Sequence, residues 1–434
     1  MFGRLNMAII GTGNIAGTMA KTMKCVSSVT SYAVASRDIE KAKTFAKQYG
    51  FKKAYGSYEE MLQDRKVDLV YIATPHSEHY ANMKMAISYG KPVLCEKSFT
   101  VNAKQAEEIF ALAEEKNVFV TEAMWVRYMP MYQTIKDVLA SKVIGDPVML
   151  TANLGYNIRW VKRMTDPELA GGALLDVGVY TLTFASMMFG EDILKIEPTC
   201  TYTETGVDEQ DSITLKYRDG RMAVLTASML GISDRKGIIY GTKGYIIIEN
   251  INNFETLTVY DNAYQKIGFY KRPKQKTGYE YEVTACVTAI KSGWLEAPAM
   301  PHKETISILK MMDEIRSEWG IGYPCEGGTC IHAAAPEMTS EAAAGAAEAL
   351  PPVPAEAGSQ VMEAPAAEAD SCPTEEPAAE TEPQPAEEET VQPAVETAAK
   401  EEPADAITET LPGNETETAS DIAQDTETPV EEQK

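Results

Sequence analysis

Short apolar runs of three to five residues alternate with amphipathic stretches through the first 120 positions. Runs at 7–10, 31–35, 69–73, 93–95 and 118–121 predict strands, with a short one at 53–55. Helical spacing of apolar positions predicts helices over 14–24, 39–49, 58–64, 78–89 and 103–116. Short apolar strands separated by amphipathic helices imply a parallel sheet covered on both faces. After about Ala123 the pattern changes. Residues 211–217 alternate polar and apolar, Asp219-Gly220 reads as a turn, and 222–229 follows as a second strand. A second hairpin joins 238–240 to 245–249 through Gly241-Thr-Lys-Gly244. Period-two strands and tight turns imply a mostly antiparallel sheet with one open face. Two helices, 279–292 and 303–319, close this part.

The expected class is therefore α/β. It comprises an N-terminal Rossmann domain with a doubly wound parallel sheet (1–123), a C-terminal α+β domain (124–325) and an acidic tail (326–434). Residues 333–434 hold 26 Asp and Glu, two Lys, 13 Pro and no aromatic residue. Such a segment buries too little apolar surface to offset chain entropy, so it is expected to be disordered. The tail also accounts for the whole net charge of −24, leaving 1–332 neutral. Nothing in the globular part then favours nucleic acid or an anionic membrane. No apolar run approaches the ~18 residues of a membrane span. Seven scattered cysteines and the absence of a signal-peptide pattern fit a reducing, cytoplasmic setting.

The first strand ends at Gly11-x-Gly13-x-x-Ala16, the dinucleotide-binding fingerprint. Gly11 permits the turn, Gly13 lacks the Cβ that would hold a pyrophosphate away, and Ala16 lets helix and strand pack closely. The helix N-terminus then offers its N–H groups to an anion. Ser36 and Arg37 stand at the end of the second strand, where an acidic residue would select NAD. A hydroxyl and a guanidinium suit a 2′-phosphate, so NADP is expected over NAD. In the alternative reading Arg37 flanks the next helix and Asp38 caps it.

Three further clusters fall at strand ends. Thr74-Pro75-His76-Ser-Glu-His79 follows the 69–73 strand and is expected to cover the cofactor; two histidines do not make a metal site. Glu96-Lys97-Ser98 follows the 93–95 strand, though an ordinary surface lysine fits the spacing of Lys97 equally well. Gly171-Gly-Ala-Leu-Leu-Asp176-Val-Gly-Val-Tyr180 opens a helix with Asp176 and Tyr180 on one face. A phenol becomes a proton shuttle near neutrality when a cation such as Lys97 stabilises its anion. A core-facing tyrosine fits the same spacing. Cys325-x4-Cys330-x-His332 has metal-like residue types without a fourth ligand, so no metal site is expected.

Together these motifs resemble the glucose–fructose oxidoreductase / inositol dehydrogenase (Gfo/Idh/MocA) family over about residues 5–324. Residues 122–127, 277–283 and 300–305 are most similar to its dihydrodiol and xylose dehydrogenase branch. The resemblance implies hydride transfer between NADP and a carbinol or carbonyl carbon of a sugar, cyclitol or vicinal diol. It marks Lys97, Asp176 and Tyr180 as the catalytic group; many members have His where Tyr180 stands. The expected cofactor contacts are Gly11, Gly13, Asn14, Ile15, Ser36, Arg37, Thr74, Pro75, His79, Glu96 and Lys97. Trp125, Arg127 and Tyr156 are expected at the substrate. The open sheet face is the usual dimer surface, so a homodimer or higher homo-oligomer is expected. One departure is Ser98, where the family commonly has Pro, and this removes a backbone restraint beside Lys97. The competing reading is a non-catalytic NADP(H)-binding sensor or scaffold that recruits partners through the tail.

Overall fold

The computed structural model describes residues 3–326. The expected acidic tail beyond its first residue, Glu326, lies outside the described residues, with Cys330 and His332.

The first sheet is built from β1 (Leu5–Ile10), β2 (Val29–Ala35), β3 (Lys53–Tyr55), β4 (Leu69–Ile72), β5 (Val93–Glu96) and β6 (Val120–Ala123). All pairs are parallel, in the order β3-β2-β1-β4-β5-β6. Every residue of β4, β5 and β6 is buried, as a sheet covered on both faces requires. The crossovers are α1 (Asn14–Cys25), α2 (Ile39–Tyr49), α3 (Tyr58–Gln63), α4 (His76–Ser88) and α5 (Ala103–Lys116). Chain reversal of strand order places a crevice between β1 and β4, where ligands bind in such sheets. Several boundaries differ from expectation by one or two residues, β1 and β2 each starting two residues earlier. Helix α4 starts at His76 because Pro75, which cannot continue a helix backwards, stands at its cap. Strand β6 runs two residues further than expected, its Glu122 and Ala123 pairing with Cys95 and Glu96.

The second sheet has eight strands in the order β14-β13-β12-β11-β7-β10-β9-β8. They are β7 (Pro147–Gly155), β8 (Ile193–Tyr202), β9 (Asp208–Tyr217), β10 (Met222–Ser228), β11 (Gly237–Gly241), β12 (Gly244–Glu249), β13 (Thr256–Asp261) and β14 (Lys266–Lys271). Only β7 and β10 pair parallel, so the sheet is mostly antiparallel. The accompanying helices are α6 (Pro130–Ala140), the short α7 (Lys162–Thr165), α8 (Val179–Phe189), α9 (Glu280–Lys291) and α10 (His302–Trp319). Helix α8 lies on β7 and β10 beneath α10. It is apolar around its whole circumference, which suits a helix with no solvent face. The stretch Pro167–Phe189 is apolar and long enough to cross a membrane by composition, contrary to the expectation of no such run. Its most apolar 18-residue window is 94% buried inside the protein and serves as core. The opposite sheet face carries Tyr240, Tyr245 and Tyr260 in register, with the last two rings stacked at 4.8 Å.

Helix α10 laces the two sheets together. Thr305 Oγ1 donates to Glu122 Oε2 (2.8 Å), His302 Nε2 contacts Val120 O (2.9 Å), and Arg316 donates to Val101 O and Glu326. Burial pushes the Glu122 carboxyl up to about 7, against the opposing hydrogen bonds from Thr305 and the Phe99 N–H. The folded protein thus binds a proton that the unfolded chain releases near pH 4.5, and stability falls as pH rises from there to about 7. Glu122→Gln is expected to remove that loss. It should unfold in urea like the wild type at pH 5 and be more stable at pH 8, by roughly 1–3 kcal/mol.

Candidate active site

The site forms where the β1–β4 crevice meets the start of α8. Gly11 has φ +105°, and a Cβ there would lie 2.7 Å from Ala73 O, so the turn packs directly on the end of β4. A Cβ on Gly13 would meet no protein atom within 4 Å. The first turn of α1 has no acidic residue and no side-chain cap. Its N–H groups, with exposed Asn14 and half-buried Ile15, face open space, which fits a pyrophosphate. Asp38 caps α2 by accepting from Glu40 N–H and Lys41 N–H, as the alternative reading held. Capping leaves Arg37 exposed, without a hydrogen bond or ion pair among the described residues. Ser36 is buried, its Oγ accepting from the Asp38 N–H (3.3 Å).

Three expected cofactor residues turn out to brace the loops. Thr74 Oγ1 accepts from Asn82 Nδ2 (3.1 Å), and Pro75 starts α4. His79 is fully buried, its two ring nitrogens lying 2.9 Å from Thr74 O and from Ser98 O. Burial lowers the pKa of this imidazole against the opposing backbone carbonyls, and the ring lies between the loop after β4 and the loop after β5, a neutral ring having one N–H to donate to one of the two. Glu96 is also turned inward. Its carboxylate accepts from the Tyr71 hydroxyl and from the Lys97 N–H, and burial raises it. The side chains of His79 and Glu96 are thus engaged within the protein, at the two loops expected to meet the cofactor.

Lys97, Asp176 and Tyr180 are brought together. Lys97 Nζ donates to Asp176 O (2.6 Å) and Oδ1 (3.1 Å). Arg163, which sequence spacing did not single out, forks onto the same carboxylate through Nη1 (2.9 Å) and Nη2 (3.2 Å). Burial alone would raise Asp176, but the Lys97 ammonium and the Arg163 guanidinium hold it far below the carboxylate range. His76 Nε2 is 3.9 Å from Asp176, and its Nδ1 lies 3.1 Å from Ala170 O. Burial pushes this imidazole down to about 3, so it is neutral.

Tyr180 differs from expectation in one respect. Lys97 Nζ sits over its ring, 5.0 Å from the centroid, rather than at its hydroxyl. Burial therefore prevails and raises the phenol well above 10; the Trp125 indole opposes it weakly by donating Nε1–H to Tyr180 Oη (3.1 Å). Trp125 in turn stacks on Tyr279 at 4.3 Å. Tyr156 is half-buried, its Oη bonded to Asn252. Arg127 is not part of this cluster. Its guanidinium donates to Ala299 O (3.1 Å) and Glu304 (3.1 Å), so it is a strut between the residues after β6 and α10. Ser98, at the position of the departure, is fully buried and bonded on two sides.

Two family descriptions match the chain. "Oxidoreductase family, NAD-binding Rossmann fold" covers residues 5–124, and "GFO/IDH/MocA C-terminal domain" covers 132–247. The chain belongs to the GFO/IDH/MocA family. It is an NAD(P)-dependent oxidoreductase by that membership. Among curated relatives, a trans-1,2-dihydrobenzene-1,2-diol dehydrogenase of Xenopus tropicalis is 36% identical over 298 residues, 67% of this chain and 90% of the relative. The Homo sapiens enzyme of that name is 32% identical over 328 residues, 74% and 98% respectively. Among solved structures, the 3-ketoreductase KijD10 from Actinomadura kijaniata, in complex with NADP and TDP-benzene, superposes with a TM-score of 0.66. It is 22% identical and covers 73% of this chain and 98% of its own. An aldose–aldose oxidoreductase from Caulobacter crescentus, complexed with glycerol, gives 0.66 at 19% identity, covering 72% and 97%. These two structures share the fold of this GFO/IDH/MocA chain.

Removing the carboxylate at Asp176 leaves a buried ammonium and a guanidinium facing each other. Asp176→Asn is expected to destabilise the protein by roughly 3 kcal/mol, measured by urea unfolding at pH 7, where an exposed ion pair would give under 1.

Proposed function

We propose that this enzyme transfers hydride between NADP and a carbinol or carbonyl carbon of a sugar, cyclitol or vicinal diol. The observation that carries the proposal is the convergence of Tyr180 Oη, the Trp125 indole N–H and the Lys97 ammonium at the mouth of the first sheet. NADP over NAD is supported by Ser36 and the uncommitted Arg37 at the end of β2, and by the NADP complexes of KijD10. Gly13 and the α1 N-terminus would hold the pyrophosphate. The bound cofactor supplies or accepts the hydride. Diol and sugar substrates are the chemistry named for the relatives and for the aldose–aldose neighbour.

Within this reading Tyr180 Oη holds the proton at neutral pH, because burial keeps it a phenol. In reduction it donates that proton to the oxygen of the carbonyl as the carbon accepts hydride. In oxidation the anion takes the hydroxyl proton. Lys97, anchored by Asp176, donates to the same oxygen or its neighbouring hydroxyl and offsets the negative charge that develops there. Arg163 shares the Asp176 carboxylate and so leaves Lys97 only part of it. A second copy of the chain on the tyrosine-bearing sheet face completes the proposed assembly, a homodimer to be checked by light scattering.

The test is an absorbance screen at 340 nm with both cofactors against pentoses, hexoses, inositols and diols. Tyr180→Phe and Lys97→Met are expected to lose roughly 10²–10⁴-fold in turnover on the best substrate. Tight NADPH binding with no turnover on any substrate would favour the sensor or scaffold reading instead. Arg37→Ala should weaken NADPH about tenfold or more and leave NADH unchanged. Because the raised phenol must ionise to act as a base, oxidation should accelerate with pH between 7 and 9. Reduction, which uses the protonated form, should stay flat over the same range.

A further inference from the structure

Two consecutive side chains of the loop after β5 cross to the turn that carries Asp176. Lys97 Nζ donates to the Asp176 carbonyl (2.6 Å), and Ser98 Oγ donates to the Leu175 carbonyl (2.7 Å). The turn they reach, Leu174–Gly178, is wound as a π-helix, with the Val179 N–H reaching back five residues to Leu174 O. A carbonyl has two lone pairs, and a widened turn leaves room for a second donor from outside the helix. Ser98 is fully buried and held from both sides: its hydroxyl is on the turn, and its own carbonyl faces His79 Nδ1 at 2.9 Å. The other ring nitrogen, Nε2, lies 2.9 Å from Thr74 O. Ser98 is thus the one residue of the loop tied both to α4 and to the Asp176 turn through its own atoms.

We propose that Ser98 is a positioning residue for Lys97. Its hydroxyl fixes the loop against the Leu175 carbonyl, so that the next residue back presents its ammonium to Asp176 and over the Tyr180 ring. The proposal rests on the role given to Lys97 above. Thr100 provides an internal comparison. It is equally buried in the same loop, but its Oγ1 donates to Asn102 O (2.8 Å), within the loop itself.

The deciding experiment needs neither substrate nor turnover. The intact, cofactor-free chain is treated with a trace amine-acylating reagent, and Lys97 labelling is compared with that of the other lysines by peptide mass mapping. Ser98→Ala is expected to label Lys97 about three- to tenfold faster, the release expected from losing one buried neutral hydrogen bond. Ser98→Thr, which keeps the hydroxyl, should restore the wild-type rate, and Thr100→Ala should leave it unchanged. In steady state Ser98→Ala should lower kcat by a similar factor, with NADPH affinity by fluorescence unaltered. Ser98→Cys keeps the volume with a weaker donor; it serves if the alanine variant does not fold, and should label at an intermediate rate. Wild-type labelling in Ser98→Ala, or an equal rise in Thr100→Ala, would overturn the proposal. Were Lys97→Met to keep full turnover, the catalytic reading of Lys97 would fail while the labelling result stood.

Discussion

One carboxylate, that of Asp176, holds the active centre together. It is buried, and taking it out of water costs several kcal/mol. Lys97 from the first sheet and Arg163 from the segment after β7 offset that cost with three hydrogen bonds to its two oxygens. A buried ion cluster of this kind adds little net stability compared with apolar packing, but it fixes positions. Its worth here is geometric. It joins a strand-end loop of the nucleotide-binding sheet to the first turn of the core helix of the other domain.

The surroundings keep this carboxylate charged and the adjoining imidazole neutral. His76, beside it, is held uncharged by burial, so the cluster carries two cations and one anion. Tyr180 remains a phenol because it is buried, with the Lys97 ammonium over its ring and bonded to Asp176. Behind the site, Glu96 and Glu282 are buried carboxyls whose ionisation burial opposes. Burial thus keeps the proton on Tyr180 and off His76, while the two cations keep Asp176 ionised. Such separation of protonation states by environment is what the proposed sharing of one substrate oxygen between phenol and amine requires.

Much of this was legible along the chain. The parallel domain, its fingerprint and the trio of Lys97, Asp176 and Tyr180 all lie in local patterns, where strand ends and glycines mark function. What was not legible depends on contacts between distant segments. Arg163 sits in the four-residue helix α7, too short to show a periodicity, and only the fold brings it to Asp176. Arg127 looked available beside Trp125, but Glu304, far along the chain, claims it. His79 and Glu96 occupy the right loops, and their side chains point inward because Ser98, Thr74 and Tyr71 offer partners there. Helix α8 has no polar face to give it a stripe, and β7 begins with exposed Val148 and Met149, which blurs its alternation. Tyr279 lay within a stretch, 277–283, noted only for its resemblance; its stacking on Trp125 joins distant segments and was not legible along the chain.

The most direct measurement is a crystal structure of the full chain soaked with NADPH. The account predicts the nicotinamide ring at the mouth of the first sheet, with Lys97 Nζ and Tyr180 Oη both directed at the space beside its C4 and Asp176 still bonded to Lys97. A nicotinamide bound elsewhere, or a Lys97 and Tyr180 that turn away from the ring when it arrives, would contradict it.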